Sequence, residues 1–298
     1  MKLLAIVTPN YNRPTLLNNL YQSLKTQTDK NFTWYIIDDG SQEAPDMLVQ
    51  TFLRENLFEI KYIKKTNGGK HTCINKAMEF VKEELTLIVD NDDVLLPHAV
   101  ETIVKDYNLI KDNNNVCGLG YLKVFSNGDV VGKPYTQDKI IDNFINQRYN
   151  KETFGDKCEV YKTSVLKKYP FPVFKDENFL SESIIWCSMA LKYNMLFQNK
   201  GIYQVVYQED GLSTGVAKRL FLNPQGAAQC YLAMSTRPFK LKYKIKYTIA
   251  FIVYALASKI KLKTQYKLAN SKFLFLVNFL PAWIIYLHKQ RKYKGKKI

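Results

Sequence analysis

Short apolar runs of strand length alternate with helical patterns over residues 1–110. The runs, each followed by a polar loop, are LLAIV (3–7), WYII (34–37), IKYI (60–63) and LTLIV (85–89). Between them, apolar residues recur at helical spacing, as at Leu16, Leu17, Leu20 and Leu24 after Pro14. A further helix is expected from Pro97 through Val104. This alternation predicts an α/β fold, a mostly parallel sheet with helices on both faces.

Ligands of such sheets bind beyond the carboxyl ends of the strands, where several loops converge. The loops predicted there are TPNYNRP (8–14), DDGSQE (38–43), TNGGKHT (66–72) and DNDD (90–93). Backbone N–H groups and a Lys suit phosphate, whereas carboxylates suit a metal ion or sugar hydroxyls. One ligand that needs all of these groups is a nucleotide sugar with its divalent ion.

Three acids, Asp90, Asp92 and Asp93, directly follow the apolar run LTLIV. Carboxylates this close repel one another and resist burial unless water, a basic side chain or a metal ion compensates their charge. A cap for the helix expected near Pro97 would explain one of the acids. It would not explain three.

The positive charge of the chain is concentrated toward its end. Residues 211–298 contain 18 of the 43 Lys and Arg and none of the 27 Asp and Glu. A basic segment indicates an anionic partner, either nucleic acid or an acidic membrane surface. Because TIAFIVYALASKI (248–260) and KFLFLVNFLPAWIIYL (272–287) are strongly apolar, we expect a membrane surface and no nucleic acid.

The two apolar stretches are shorter than the roughly 20 residues that cross a bilayer. We therefore expect interfacial helices, with Lys and Arg toward anionic lipid and with Trp283 and Tyr286 at the acyl boundary. A buried helical hairpin that covers the catalytic domain is the alternative. The segment KLKYKIKY (240–247) is compatible with a strand or a helix.

The predicted organisation is a catalytic domain over residues 1–215 and a helical, membrane-surface-associating region over residues 216–298. The start MKLLAIVTPNYNRP is interpreted as a first strand and not as a secretory signal. The five Cys residues lack CxxC spacing, so neither a zinc site nor a disulfide framework is indicated. These features favour a cytoplasmic location.

Seven stretches follow one another along the chain: VTPNYNRP, IIDDGS, TNGGKHTCIN, LIVDNDD, GDKCEVY (155–161), FLSESIIW (179–186) and YQEDGLS (207–213). In this order they resemble the motifs of GT-A fold glycosyltransferases of the family 2 type that build bacterial surface polysaccharides. Each stretch alone is weak, since DxD patterns arise often by chance. Together they extend over about 210 residues.

The resemblance assigns a set of residues to the nucleotide-sugar donor: Thr8, Pro9, Tyr11, Arg13, Asp39, Asn67, Gly69, Lys70, Asp90, Asn91, Asp93 and Asp156. It implies that Asp39 accepts a hydrogen bond from the base and that residues 67–70 face the diphosphate. Relatives often carry an Arg where this chain has Ile74, which leaves the phosphate charge to Lys70 or to the metal ion. Asp156 is assigned to donor-sugar hydroxyls, although a plain turn would also explain it.

The resemblance further implies that Asp90 and Asp92 are the DxD pair of the metal site, in which Asp92 coordinates Mn²⁺ or Mg²⁺ and Asp90 contacts the ribose or a metal-bound water. Asp93 would bond the donor sugar. Some relatives have a His as a third metal ligand, a role that Glu209 or Asp210 would have to take here.

The resemblance implies that the base, which accepts the proton of the acceptor hydroxyl, lies on a helix four residues before an aromatic residue. Glu182 lies four residues before Trp186 and is the residue assigned. Relatives more often have an acidic pair there, whereas this chain has Ser181, so Glu177 is the second candidate.

The expected function is inverting transfer of a hexose or N-acetylhexosamine from a nucleotide sugar, with UDP as the expected nucleotide, to an acceptor hydroxyl. The expected acceptor is a glycan or lipid-linked glycan at the inner face of the plasma membrane, with a teichoic-acid type polymer as a second possibility. Two alternatives are a nucleotidyltransferase acting on sugar phosphates and a non-enzymatic basic membrane adaptor. The former would carry a Gly-rich basic loop after the first strand, where this chain has TPNYNRP.

Overall fold

A computed structural model describes residues 2–206 and 215–293 of the chain. It divides into two compact units. The first unit comprises Met1–Phe171 and Lys192–Gln208, and the second comprises Pro172–Leu191 and Glu209–Ile298. The expected division near residue 215 therefore differs from the observed one, because Pro172–Leu191 groups with the C-terminal helices. The whole stretch YQEDGLS, with Glu209 and Asp210, lies outside the described residues.

The first unit contains a nine-stranded sheet within the described residues. Its strands are β1 (Leu4–Asn10), β2 (Phe32–Asp38), β3 (Glu59–Lys64), β4 (Leu85–Ile88), β5 (Val94–Leu95), β6 (Val116–Val124), β7 (Ile140–Asp142), β8 (Lys157–Lys162) and β9 (Asn194–Gln204). They are arranged in the order β3-β2-β1-β4-β8-β6-β9-β5, and β7 pairs with β9.

Helices connect the strands of the first unit and form most of the second. The first unit has α1 (Pro14–Lys25), α2 (Asp46–Glu55), α3 (Lys70–Phe80), α4 (Ala99–Tyr107), α5 (Thr163–Leu166) and a π-helical turn over Asn146–Asn150. The second unit has α6 (Ser183–Met189), α7 (Val216–Leu222), α8 (Pro224–Ser235), α9 (Leu241–Ala257), α10 (Leu262–Leu268) and α11 (Lys272–Tyr293).

Side chains of β1 alternate between two apolar layers, one on each face of the sheet. Leu4 and Ile6 pack in the cluster that contains Leu20 of α1. Ala5 and Val7 pack in the cluster that contains Cys73 and Ala77 of α3. Because successive residues of a strand point to opposite faces, α1 and α3 cover opposite faces of the sheet. This arrangement confirms the predicted α/β class with helices on both faces.

The sheet is parallel from β3 through β2 and β1 to β4 and mixed beyond β4. Strand β8 runs antiparallel to both β4 and β6, and β6 is parallel to β9. The short strands β5 and β7 are antiparallel to β9. Helix α4 begins at Ala99, two residues after the expected start, and the short strand β5 lies between the acidic loop and this helix.

The carboxyl ends of the first four strands lie side by side. Asn10 at the end of β1 is in register with Asp38 at the end of β2, which is in register with Lys64 of β3. The Val89 N–H, just past β4, donates to the Val7 carbonyl oxygen at 2.9 Å. The four polar loops therefore leave the sheet at one edge.

The second unit is built around α9, which packs with α8 and α11. Its apolar core includes Phe251 and Ile252 of α9 with Phe275 and Ala282 of α11. The segment KLKYKIKY is helical and belongs largely to α9, which resolves the strand-or-helix ambiguity. None of the helices in residues 2–206 and 215–293 combines the length and apolar character needed to cross a membrane.

Candidate active site

Each carboxylate of the acidic loop is paired with a basic side chain. Lys70 Nζ lies 2.6 Å from Asp90 Oδ1, and Arg13 Nη1 donates to Asp92 Oδ2 at 3.1 Å. Lys123 Nζ lies 3.4 Å from Asp93 Oδ2. Water, a basic side chain and a metal ion were the three groups considered for compensating the charge of these acids. The structure shows basic side chains beside them. Arg13 and Lys70 come from the loops assigned to the donor, whereas Lys123 of β6 was not predicted.

The three acids differ in how well their charge is stabilised. Burial raises the pKa of Asp92, and the nearby charges of Asp90 and Asp93 raise it further. Burial also raises the pKa of Asp93, although Lys123 opposes the effect. At Asp90 burial again disfavours ionisation, but Lys70 and Lys123 outweigh it and hold the pKa below its usual value. The negative charge at Asp92 is thus compensated less completely than the charge at Asp90.

The chemistry of these acids fits a divalent ion only if other ligands complete the site. Carboxylate oxygens are the hard ligands that Mg²⁺ and Mn²⁺ prefer. Among the described residues, however, no group of three or more His, Cys, Asp or Glu side chains could hold a metal ion. Asp90 and Asp92 would therefore need water or phosphate oxygens as further ligands.

A buried network connects the acidic loop to the far part of the sheet. The Tyr203 hydroxyl of β9 accepts a hydrogen bond from the Asp90 N–H at 3.1 Å. The ammonium group of Lys123 lies 4.0 Å from the centroid of the Tyr203 ring. Asp93 Oδ1 accepts from the Val206 N–H at 2.9 Å. Asp93 therefore holds the acidic loop against the end of β9, a role that the sequence did not indicate.

The sequence contained a signal for Lys123. It is the one charged residue in VCGLGYLKV, a strand whose nine residues are all buried. A buried Lys needs partners of opposite charge. Burial acts to lower the pKa of Lys123, but Asp90, Asp93 and Asp156 outweigh this effect and raise it. Lys123 therefore carries its charge within the acidic cluster.

Asn10 was also missed, although it belongs to the first loop. It is buried, and its Oδ1 accepts from Asn91 Nδ2 at 2.9 Å. Its Nδ2 donates to Asp38 Oδ1 at 3.3 Å. Asn10 thus links the ends of β1 and β2 to Asn91, which the resemblance assigned to the donor.

Asp39 fixes the loop that precedes α3. Its Oδ1 lies 2.5 Å from Lys65 Nζ and accepts from the Gly68 N–H at 3.0 Å. Its Oδ2 accepts from the Gly69 N–H at 2.7 Å, and Asn67 Nδ2 donates to the Asp39 carbonyl oxygen at 2.9 Å. Asp39 is buried, so this carboxylate orients the loop that carries Lys70. Its assigned contact with a nucleotide base stays a prediction.

The turn after Asp39 needs a glycine. Gly40 has φ +74°, and a Cβ atom there would lie 2.8 Å from the Asn67 nitrogen. Both the backbone conformation and the close approach exclude larger residues without a shift of the neighbouring loop. The glycine that follows Asp39 in DDGS therefore helps to bring Asp39 to the loop before α3.

The first loop divides into buried and accessible residues. The Thr8 side chain is fully buried, and its Oγ1 accepts from Trp34 Nε1 at 2.9 Å. The structure therefore places the Thr8 side chain in the core, and its assigned contact with the donor stays a prediction. Pro9 is partly buried, whereas Tyr11 is 45% exposed. Tyr11 is the accessible aromatic side chain of this loop.

Asp156 lies on an exposed turn near Lys123, whose pKa it helps to raise. The preceding residue, Gly155, has φ +103°, and a Cβ atom there would lie 2.3 Å from the Val131 carbonyl oxygen. The structure thus brings Asp156 toward the acidic cluster on a turn whose backbone is tightly constrained.

The two candidate bases, both in the second unit, differ in what their carboxylates contact. Glu177 Oε1 accepts from the Gln225 N–H at 2.6 Å, and its Oε2 accepts from the Gly226 N–H at 2.8 Å. Glu177 therefore caps the N-terminus of α8. Burial raises its pKa against the effect of these two donors.

Glu182 directly precedes the first residue of α6, and its side chain is only partly buried. Its carbonyl oxygen accepts from the N–H groups of Ile185 and Trp186, at 2.9 and 3.2 Å. The expected helix is present, and Trp186 lies one turn after Glu182. The role of Glu182 as a base stays a prediction.

Replacing Glu177 by Ala is expected to lower the free energy of unfolding by about 1–3 kcal/mol, because two N–H groups of α8 lose their acceptor. Urea denaturation followed by circular dichroism measures this change. The exposed residue Glu43 provides the control, since Glu43→Ala is expected to leave the midpoint unchanged. Equal midpoints for wild type and Glu177→Ala would contradict the capping role.

Solved structures share the fold of the chain at low sequence identity. Staphylococcus aureus TarS, residues 1–349, in complex with UDP-GlcNAc superposes with a TM-score of 0.63 at 18% identity, covering 97% of this chain and 81% of that one. The mannosyltransferase PcManGT from Pyrobaculum calidifontis, in complex with GDP-Man and Mn²⁺, gives a TM-score of 0.59 at 15% identity, covering 98% and 88%. These likenesses support the GT-A fold.

Curated relatives match more than half of the chain at low sequence identity. A Campylobacter jejuni GalNAc(5)-diNAcBac-PP-undecaprenol beta-1,3-glucosyltransferase is 23% identical over 235 residues, which is 74% of this chain and 70% of the relative. The Staphylococcus aureus poly(ribitol-phosphate) beta-N-acetylglucosaminyltransferase TarP is 29% identical over 171 residues. That match covers 57% of this chain but only 49% of TarP.

A family model matches the part of the chain that contains the acidic cluster. The model described as Glycosyl transferase family 2 matches residues 5–169, more than half of the chain. The matched range includes all four loops at the carboxyl edge of the sheet, together with Lys123 and Asp156. The chain therefore belongs to glycosyl transferase family 2.

Proposed function

We propose that the chain transfers a hexose or N-acetylhexosamine from a UDP-sugar to a hydroxyl of a lipid-linked or polymeric glycan, with inversion at the anomeric carbon. The observation that carries the proposal is the cluster in which Arg13 and Lys70 pair with Asp92 and Asp90 at the carboxyl edge of the sheet. Family membership favours this activity over the nucleotidyltransferase and adaptor alternatives.

The paired charges supply groups for both parts of a metal–diphosphate ligand. Lys70 and Arg13 would turn to the phosphate oxygens, since ammonium and guanidinium groups bind phosphate well. Asp90 and Asp92 would then be free to hold Mn²⁺ or Mg²⁺ together with those oxygens. When bound, the ion would stabilise the negative charge of the departing diphosphate.

The remaining donor contacts follow from the positions of the loops. Tyr11 is the accessible aromatic side chain of the first loop and is proposed to stack on the base. The loop over residues 67–70 carries Lys70, whose ammonium group suits the diphosphate, while the Gly68 and Gly69 N–H groups donate to Asp39 and fix the loop. Asp156 is proposed to accept from donor-sugar hydroxyls. A UDP donor is favoured because TarS has been solved in complex with UDP-GlcNAc and with UDP.

We assign the transfer of the hydroxyl proton to Glu182. The carboxylate accepts this proton while the acceptor oxygen forms a bond to the anomeric carbon and the bond from that carbon to the diphosphate breaks. A single displacement of this kind inverts the configuration. The choice of Glu182 over Glu177 is supported by the two N–H donors that occupy the Glu177 carboxylate.

The acceptor class is proposed from the relatives and from the charge of the chain. One relative is named for a glucosyl transfer to an undecaprenol-linked glycan, and another for transfer to poly(ribitol-phosphate). Both acceptors are anionic, and residues 211–298 contain 18 Lys and Arg without a single acid. This basic segment supports an acceptor at the inner face of the plasma membrane, with the enzyme bound peripherally.

The donor is tested by thermal shift with UDP-, GDP- and dTDP-sugars, each with and without Mn²⁺. We expect UDP-sugars with Mn²⁺ to raise the melting temperature by on the order of 5 °C at saturating ligand. The variant Lys70→Ala is expected to lose most of this shift, whereas Lys82→Ala, at an exposed site after α3, should retain it. A larger shift with GDP-sugars would overturn the UDP assignment, and a shift without metal would overturn the role of the ion.

A further inference from the structure

Helix α11 presents a stripe of exposed apolar side chains. Their exposed fractions are 73% for Phe273, 63% for Leu276, 59% for Val277, 61% for Leu280, 44% for Trp283 and 58% for Ile284. At 3.6 residues per turn these positions cover about 120° of the helix circumference and extend about 17 Å along its axis. We call this set of six residues the α11 face.

The opposite side of α11 is already used by the core of the second unit. Phe275 and Ala282 are buried against α9, and Phe279 and Tyr286 pack against the same cluster. The Tyr286 ring lies 6.3 Å from that of Phe221. The helix is thus apolar on two sides, and only one of them is needed for packing. The expectation that Tyr286 reaches the acyl boundary is not supported, whereas Trp283 is exposed.

Basic residues lie at both ends of the α11 face. Lys272 is exposed at the first residue of the helix, and Arg291 and Lys292 are exposed in its last turn. The segment from α9 through α11, residues 241–293, contains 11 Lys and Arg and no acid. An apolar stripe between basic ends matches an anionic lipid surface, where headgroups meet acyl chains.

We propose that the α11 face docks into the boundary between headgroups and acyl chains of a bilayer that contains anionic lipid. This inference rests on the proposed location of the enzyme at the membrane, and it identifies the surface through which the enzyme binds there. The apolar residues enter the boundary while Lys272, Arg291 and Lys292 contact phosphate-bearing headgroups. A second copy of this chain is a poorer partner, because pairing two such faces would bring two acid-free basic segments together.

Flotation with vesicles tests the docking surface. Full-length protein is expected to float with phosphatidylcholine vesicles that contain phosphatidylglycerol, and to stay behind with phosphatidylcholine alone or at high salt. The double variant Leu276→Gln, Leu280→Gln is expected to bind roughly tenfold or more weakly. Met47→Gln is the matched control, since Met47 is 88% exposed in α2 of the first unit. Equal flotation of both variants would overturn the proposal.

Trp283 provides a second readout within the same face. The other two Trp residues, Trp34 and Trp186, are buried. Emission of the wild-type protein is therefore expected to shift to shorter wavelength when anionic vesicles are added, and the shift should be absent in Trp283→Phe. No shift in the wild type would contradict insertion of this face.

Two further measurements separate this inference from its rivals. Analytical sedimentation tests whether the wild type forms dimers and whether the double variant Leu276→Gln, Leu280→Gln dissociates them. Such dimers, together with a wild type that does not bind vesicles, would assign the α11 face to self-association and overturn the proposal. Hydrolysis of the donor in solution is expected to be unchanged in the double variant. A failure of the proposed transferase activity would therefore appear in the wild type, independently of vesicle binding.

Discussion

Glu182→Gln is expected to lower kcat by about 10²–10⁴-fold, because the acceptor hydroxyl then loses the group that takes its proton. The amide is nearly isosteric with the carboxylate, so the KM for the donor should change little. Initial rates at saturating donor and acceptor measure the effect, and circular dichroism establishes that the variant is folded.

Glu177→Ala is the matched control for this experiment, since the two acids lie five residues apart in the second unit. At a temperature where it is folded, Glu177→Ala is expected to keep turnover within a small factor of wild type while it loses stability. The opposite outcome, with turnover abolished by Glu177→Ala and retained by Glu182→Gln, would exchange the roles of the two residues.

Asp92→Asn is expected to lower turnover by about 10²–10³-fold while the unliganded protein becomes no less stable. Burial and the charges of Asp90 and Asp93 raise the pKa of Asp92 in the folded state. The ionised carboxylate therefore costs stability at neutral pH, and this cost decreases as the pH falls through the raised folded-state pKa toward the ordinary value of about 3.9. Asn removes that cost, although it also gives up the charge that pairs with Arg13.

Thermal melts of Asp92→Asn and wild type at pH 7 and near pH 4 measure this effect. The melting temperature of the variant should equal or exceed that of wild type at pH 7, and the difference should shrink near pH 4. Addition of Mn²⁺ with UDP should stabilise wild type and leave the variant nearly unchanged. A variant that melts far below wild type at pH 7 would indicate a structural role for Asp92, and wild-type turnover would exclude it from the site.

The sequence was sufficient to predict the first half of the sheet because its strands are short, apolar and separated by amphipathic helices. The runs at 3–7, 34–37, 60–63 and 85–89 correspond to β1, β2, β3 and β4. The convergence of their loops followed from the rule for parallel strands. The order of the later strands did not follow, because β8 pairs antiparallel with both β4 and β6 through contacts distant in the chain.

The charges that compensate the acids were only partly accessible to sequence analysis. Arg13 and Lys70 lie on loops that the strand rule brings to Asp90 and Asp92. Lys123 reaches the cluster from β6, whose position beside β9 is set by tertiary pairing. Its presence in an otherwise apolar strand was a usable signal that the loops alone did not provide.

The roles of Asp39 and Glu177 could not be predicted from residue types, since both depend on which backbone N–H groups lie nearby. Asp39 accepts from Gly68 and Gly69, and Glu177 accepts from Gln225 and Gly226, nearly 50 residues away. Such side chain to backbone contacts form only once the tertiary structure is in place.

The most direct test of the proposed reaction needs no acceptor. An inverting transferase that slowly hydrolyses an α-linked UDP-sugar releases the β-anomer first, and proton NMR detects it before mutarotation. We expect UDP-glucose or UDP-GlcNAc to yield the β-sugar in the presence of Mn²⁺, with little product from Glu182→Gln. Initial release of the α-anomer, or no hydrolysis of any nucleotide sugar by a folded wild-type protein, would contradict the proposal.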